Sequence, residues 1–520
     1  MRPTSLVAAA RSGNGDLVAR LLRAGAATET VDDTGVTPLL AATKRGHRSI
    51  VRLLLEHGAN VTAASSTALH MAVRLGHVAL AQLLLDYNAH VDARRPTTPL
   101  LLAVERHHVQ MIKLLLRYGA NPTLVSEAGF TPLLLAVARN LLEMTKELLE
   151  ANADTELPNH AGVVPLWAAY NNNDLAMTRL LLEYDADPNA SFMGGSLFIL
   201  AAKQRRLPYL ELLLSSQRVD VDQIDSNGRT GFEYACVYGD LDCVKLLVRH
   251  GVHNSAAEGK TLLMFAAKYG SVPIVRYLLP LSDVNAVSKN GYSAVAVAAY
   301  YGHLEVVRLL VAHGALLDPT DKDGSTSLWR ACLDGSTEIV DLLVQRGADI
   351  NMASFDGNRP LVTAAEKGHL DVLRRLLEDR NRVDIDATNQ EGKTALYQAS
   401  CFGHVEICRA LLKAHATVTV ATTKGVTPIV IAIVVQNADV VELLLPHVHI
   451  NEPLLGSTLL HMAIQRRSVR IVEVLVAHGA DLDALDKDGY TALSVAVEQG
   501  HLGAVEALVQ HGASLSVVTE

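Results

Sequence analysis

Two pairs of histidines and two pairs of cysteines are the first residues of this 520-residue chain whose spacing suggests chemistry. His107-His108 and His447-x-His449 bring imidazoles close enough to share a metal ion. Cys236 and Cys243 sit seven residues apart, as do Cys401 and Cys408. Thiolate zinc sites are built on C-x-x-C and similar short spacings, and these cysteines do not have them. A seven-residue step instead links one short helix to the next across a turn, so the thiols read as small buried apolar groups. Adjacent histidines arise by chance among 21, most of which fall at recurring positions. The acid pairs Asp321/Asp323 and Asp486/Asp488 could serve acid–base catalysis. Each lies in an Asp-Lys-Asp-Gly run, whose side chains form turns. No G-x-x-x-x-G-K-[ST] loop, G-x-S-x-G elbow or H-E-x-x-H helix occurs. The chain therefore reads as a non-enzyme with no catalytic residue, no metal ligand and no cofactor.

Aromatic residues carry the stronger signal. They are only 4% of the chain, yet ten of the 23 fall between residues 230 and 330. They are Phe232, Tyr234, Tyr238, Phe265, Tyr269, Tyr277, Tyr292, Tyr300, Tyr301 and Trp329. Tyrosine offers a large contact area at small entropic cost, which suits a binding hot spot. Eight of them, Tyr234, Tyr238, Phe265, Tyr269, Tyr292, Tyr300, Tyr301 and Trp329, are the candidate partner-binding residues. The competing reading is that these rings pack against neighbouring elements without a guest. A second row is basic: Arg11, Lys44, Arg45, Arg74, Arg106, Arg139 and Lys203, interrupted by Glu105. It is either a solvated helix face or a groove for an acidic peptide, where arginine pairs carboxylates through two parallel bonds.

The elements that must position these residues recur. One phrase returns throughout: a Thr or Ser, a Leu two places on, an Ala at the sixth place, a Gly near the tenth, then a Leu-rich stretch. Copies begin near Thr4, Thr37, Thr67, Thr98, Thr131, Val164, Ser196, Thr230, Thr261, Ser293, Thr326, Arg359, Thr394, Thr427, Thr458 and Thr491. Spacings run from 30 to 35 residues, and sixteen units fill residues 1–520 as a single array. In each, the Thr or Ser can cap a helix, and a following Pro suits its first turn. The Gly supplies a left-handed turn into a second helix with one apolar face. Such a unit cannot bury its own apolar face, and stacking on its neighbours does so.

The recurring phrase resembles the ankyrin repeat. Thr67-Ala68-Leu69-His70-Met71-Ala72 and Thr458-Leu459-Leu460-His461-Met462-Ala463 come nearest to its Thr-Pro-Leu-His-x-Ala motif. A Gly-His pair recurs at Gly46-His47, Gly76-His77, Gly302-His303, Gly368-His369, Gly403-His404 and Gly500-His501. The resemblance implies an all-α solenoid of helix-turn-helix units joined by β-hairpin loops. It also implies a concave groove onto which the aromatic row would face, and a role in binding proteins. There are departures. His107, Asn140, Asn173, Arg205, Gln436 and Arg467 stand where the inter-helix Gly belongs, at about 1–2 kcal/mol each for an ordinary residue unless the turn changes. Hairpins near Ser65-Ser66 and Arg94-Arg95-Pro96 are short. The last unit reads as an ordinary repeat without a polar cap, as in an array that continues or pairs there.

Composition agrees with close-packed helices: 49% hydrophobic residues with few aromatics. A net charge of -9 predicts no general attraction to nucleic acid. Five unpaired cysteines, no apolar leader and no apolar run near 18 residues place the chain in the cytoplasm or nucleus, without membrane insertion. The expected function is a scaffold or adaptor that binds a peptide or protein surface, with the oligomeric state open. The alternatives are a targeting or substrate-recognition region of a larger enzyme, channel or ligase complex, and a groove that takes a small molecule.

Overall fold

The computed structural model describes residues 5–62, 68–192, 194–252, 259–379 and 382–515. Thr4, Ser65, Ser66 and Thr67, named above, lie outside the described residues. The chain divides into two compact units, one of residues 1–235 with 242–252, the other of residues 236–241 with 253–520. Among the described residues are thirty-two α-helices in sixteen pairs, an all-α helix-turn-helix solenoid. The first seven pairs, from Leu6–Ser12 with Gly15–Arg23 to Leu197–Lys203 with Leu207–Ser215, belong to the first unit. Eight pairs, from Leu262–Lys268 with Val272–Leu278 to Ala492–Glu498 with Leu502–Gln510, belong to the second.

Each pair follows from its sequence. Thr37, Thr261 and Ser293 accept a hydrogen bond from the backbone N–H three residues on, which satisfies a donor the helix leaves open. Val164 and Arg359 stand at the same place with no side-chain cap, and each is followed by a proline that has no N–H to satisfy. In the helix Arg48–Glu56, the buried residues Ile50, Val51, Leu54 and Leu55 recur at helical spacing and form one stripe. In Ala294–Tyr300 the buried face is Ala294, Val295, Ala296, Ala298 and Ala299. These small side chains let the helix pack against Leu262–Lys268 on one side and Ser327–Asp334 on the other.

The turn inside each pair does not change where glycine is missing. His107, Asn140, Asn173, Arg205, Gln436 and Arg467 all hold the left-handed conformation, with φ between 55° and 64°. Neighbouring turns are also tied together. His303 Nε2 lies 2.9 Å from the carbonyl oxygen of Lys268, one repeat earlier, and His108 Nδ1 lies 2.9 Å from that of Val73.

The loops between repeats are built as side-chain turns more than as strands. Among the described residues, the named strands are Ser191–Phe192 and Gly195–Ser196, paired antiparallel, with isolated bridges such as Val287 to Ser293. The reason is visible at Asp321, whose Oδ1 accepts from the N–H groups of Asp323 and Ser325. Those donors are spent on a carboxylate and cannot extend a ladder. The loops are also linked in series. Asn285 Oδ1 accepts from Leu316 N–H at 2.8 Å, and Asp318 Oδ1 accepts from Asp349 N–H at 3.1 Å.

In the first unit Trp167, Tyr170, Phe198 and Tyr209 are core aromatics, while Tyr87 is exposed. Trp167 is buried and donates from Nε1 to the carbonyl of Ala190, and its ring meets Phe192 at 5.4 Å. The Arg206 guanidinium lies over Tyr170 at 4.6 Å and Tyr209 at 5.7 Å.

Candidate functional site

A concavity in the second unit crosses three consecutive first helices, Leu262–Lys268, Ala294–Tyr300 and Ser327–Asp334. Its cause is a change of side-chain size at one register. Three and four places after the helix cap stand Met264 and Phe265, then Ala296 and Val297, then Trp329 and Arg330. The middle repeat offers two small residues between two repeats with large ones. A cavity of about 280 Å³ opens over that floor. Tyr292 closes it at the loop end, and Tyr300 and Tyr301 at the helix end, while Lys260 and Lys268 add two cations.

Arg330 forms the far wall and is fixed from several sides. Its Nε donates to Asp321 Oδ2 at 3.1 Å, its Nη2 lies 3.5 Å from Asp323 Oδ2, and it donates to Tyr292 Oη at 3.5 Å. Its guanidinium stands 5.2 Å from the Tyr292 ring, 5.7 Å from Tyr300 and 5.3 Å from Trp329. Burial presses the Arg330 pKa down, but the Asp321 hydrogen bond and charge outweigh it and the net direction is up. With Asp321 beside it, Arg330 is a compensated charge. Lys268 is different: its Nζ stands 5.2 Å from the Tyr269 ring and 5.9 Å from Tyr301, and no carboxylate pairs with it among the described residues. Arg330 at the loop end is thus compensated by Asp321, and Lys268 brings positive charge to the helix end.

The structure brings Phe265, Tyr292, Tyr300 and Tyr301 together around one cavity. Tyr269 adjoins them through Lys268, and Trp329 through Arg330. Tyr300 and Tyr301 meet edge to face at 5.0 Å, and both are exposed. Phe265 is 7% exposed and contributes mainly to the core. Tyr238 is 46% exposed, on residues assigned to the second unit. Tyr234 belongs to the first unit, where it is 3% exposed and donates to Asp225 Oδ2 at 2.6 Å. Lys203 of the same unit stands over its ring at 5.4 Å.

Sequence reasoning passed over Lys260, Met264, Lys268, Ala296, Val297 and Arg330. The signal was present in the register: a small pair between two large pairs at the same place in successive repeats. In the basic row Arg11 pairs with Asp32 and Arg139 Nη1 donates to the carbonyl of Glu105, while Lys44, Arg45, Arg74, Arg106 and Lys203 are exposed. The cysteines are buried apart from the half-buried Cys401, and burial raises the Cys408 thiol to about 11, away from nucleophilic use. Among the described residues, no three His, Cys, Asp or Glu side chains gather as a metal site, and no helix is long and apolar enough to cross a membrane.

Comparison with known proteins agrees with this architecture. The family described as ankyrin repeats (3 copies) matches residues 6–95, 90–159, 133–225, 165–258, 198–288, 263–354, 315–389, 361–453 and 436–519. The ankyrin repeat and KH domain-containing protein mask of Drosophila melanogaster is 37% identical over 112 residues, 21% of this chain and 3% of that protein. Protein phosphatase 1 regulatory subunit 27 of Mus musculus is 38% identical over 103 residues, 19% of this chain and 67% of that protein. Transient receptor potential cation channel subfamily A member 1 of Homo sapiens is 34% identical over 110 residues, 20% of this chain and 10% of that channel.

Proposed function

This chain belongs to the ankyrin-repeat family, whose repeats generally mediate protein–protein interactions, and from that premise we propose that it is a non-catalytic scaffold or adaptor. Its partner is a peptide or protein surface held across the first helices of repeats nine to eleven. The single observation that carries this reading is the concavity over Ala296 and Val297, rimmed by the exposed Tyr300 and Tyr301. A few aromatic anchors around a small depression are the usual energetic centre of an interface. The regulatory name of the mouse relative supports a role without catalysis. The partner-binding set then centres on Tyr292, Tyr300 and Tyr301, with Phe265, Tyr269 and Trp329 supporting them. Tyr238 extends the surface, and Tyr234 serves packing. A partner in the cytoplasm or nucleus fits the unpaired cysteines.

The test is Tyr300→Ala with Tyr301→Ala. Proteins cross-linked to the parent chain in cell extract are identified, and their affinities measured with purified components. The double variant should keep its helical circular dichroism and lose at least tenfold in affinity. Unchanged affinity for every cross-linked protein removes this surface from consideration.

A second reading makes the array the targeting region of a larger enzyme, channel or ligase assembly. The shares of the fly protein and the human channel that this chain matches, 3% and 10%, favour it. The two readings differ in what the partner is attached to, not in how it is held.

A further inference from the structure

We propose that the cavity over Ala296 and Val297 takes an extended acidic segment of the partner, with an apolar side chain on the floor and the neighbouring Asp or Glu carboxylate at Lys268. This deepens the reading above and rests on it.

Size sets the first limit. At about 280 Å³ the cavity falls just under the range of about 300–1,000 Å³ usual for drug-sized ligands. One large side chain, with the backbone running on past it, fits that scale better than a cofactor. The floor of Ala296, Val297 and Met264 is apolar, so the inserted side chain is aliphatic or aromatic.

Charge sets the second limit. The three cations at the cavity are not equivalent. Arg330 spends its charge on Asp321, whose side chain is 1% exposed, and Asp323 stands 3.5 Å from it as well. Arg330 itself therefore offers a guest little net attraction. Lys268 has two aromatic faces beside it and no carboxylate among the described residues, so its field is aimed at whatever enters from the helix end. A basic guest residue there would meet like charge. A carboxylate would complete the ion pair that Arg330 already has. The phenol groups of Tyr300 and Tyr301, at the same end, are further donors for it. The guest is therefore directional, with its apolar residue over repeat ten and its acid toward the helix ends.

The probe is a phage-displayed library of random 12-residue peptides (roughly the span of three packed helices, ~10 Å apart). It is selected against the intact chain, and the enriched peptides are then synthesised. The expected consensus is an Asp or Glu next to a Leu, Ile, Phe or Tyr. Lys268→Glu should weaken such a peptide at least tenfold, and a peptide with Lys in place of its acid should recover binding to that variant. Lys268→Met should give an intermediate loss, and rising salt should weaken the parent complex. Selected peptides that are neutral or basic, or that bind Lys268→Glu as well as the parent, overturn the acidic assignment and leave the groove reading standing. So does free succinate binding as tightly as the peptide, because the site then takes a small dicarboxylate. Val297→Phe plugs the floor from a half-exposed position and provides the other arm. Peptides that bind Val297→Phe as tightly as the parent overturn the groove reading itself, and a library that yields no enrichment overturns the peptide assignment.

Discussion

Arg330 of repeat eleven lies with its guanidinium 5.2 Å from the ring centroid of Tyr292 in repeat ten. The same group donates from Nε to Asp321 at 3.1 Å. One side chain thus fixes the loop between two repeats and the wall of the cavity at once. Its side chain is 14% exposed and that of Asp321 is 1% exposed. Removing one partner of such a pair leaves a buried charge without compensation, at a cost of about 3 kcal/mol. Arg330→Met should lower urea stability by about that amount and speed amide exchange in repeats ten and eleven first. Because repeat arrays open locally, a uniform change along the whole chain would contradict this assignment.

The left-handed turn at His107 costs what a glycine would not. His107 has a φ of 61°, where an ordinary L-residue is strained by about 1–2 kcal/mol. Part of that returns as the greater unfolded-state entropy of glycine. His107→Gly should therefore stabilise by about 0.5–1 kcal/mol, read as a rise in the midpoint of thermal unfolding. A fall would mean that the imidazole makes an interaction worth more than the strain.

Thr427 is a cap in sequence only. Its Oγ1 is buried without a hydrogen-bond partner, although Thr37, Thr98 and Thr131 cap normally before a proline. Nothing in the structure explains why this one fails. Val164 stands at the same place in repeat six with no side-chain cap. Thr427→Val should then stabilise by about 1 kcal/mol by removing an unsatisfied hydroxyl. Calorimetry on the intact chain checks the sign. A loss above about 1 kcal/mol would show that the hydroxyl is bonded through water.

Tyr170 gives a pH dependence. Burial pushes its hydroxyl up to about 12, with Arg206 acting in the opposite sense. The folded value lies above the unfolded one. The associated stability is whole below about pH 10 and is lost as pH rises through about 12. Tyr170 Oη also donates to Gln204 Oε1 at 2.9 Å, so Tyr170→Phe should cost about 1 kcal/mol at neutral pH. That deficit should shrink between about pH 10 and 12, because the variant has no proton to lose there. Denaturant unfolding at several alkaline pH values measures it, and a constant difference would contradict the burial argument.

Much of the fold was legible because it is written many times. Cap, proline, glycine and apolar stripe recur at fixed offsets, so an imperfect repeat such as that at Val164 is read from its neighbours. The left-handed turns at Arg205 and Gln436 were less legible, since residue type alone argues against them and only the register requires them. The cavity was harder still. Aromatic type drew attention to Tyr234, which the structure buries against Asp225. The hollow itself comes from what is missing at Ala296 and Val297, and small residues draw no notice in a chain full of alanine. Nor could spacing show that Asp321, besides shaping its turn, neutralises Arg330, while Lys268 has no carboxylate partner among the described residues.

Loops in the second unit are hydrogen-bonded to the loop that follows, as Asn285 holds Leu316 and Asp318 holds Asp349. These rungs connect adjacent repeats and bypass none. A tug on such a segment loads its rungs in series, so it should give way like a zip, tooth by tooth. A guest gripping several repeats would act as a clasp, stiffening the stretch it covers and leaving the rest free to yield.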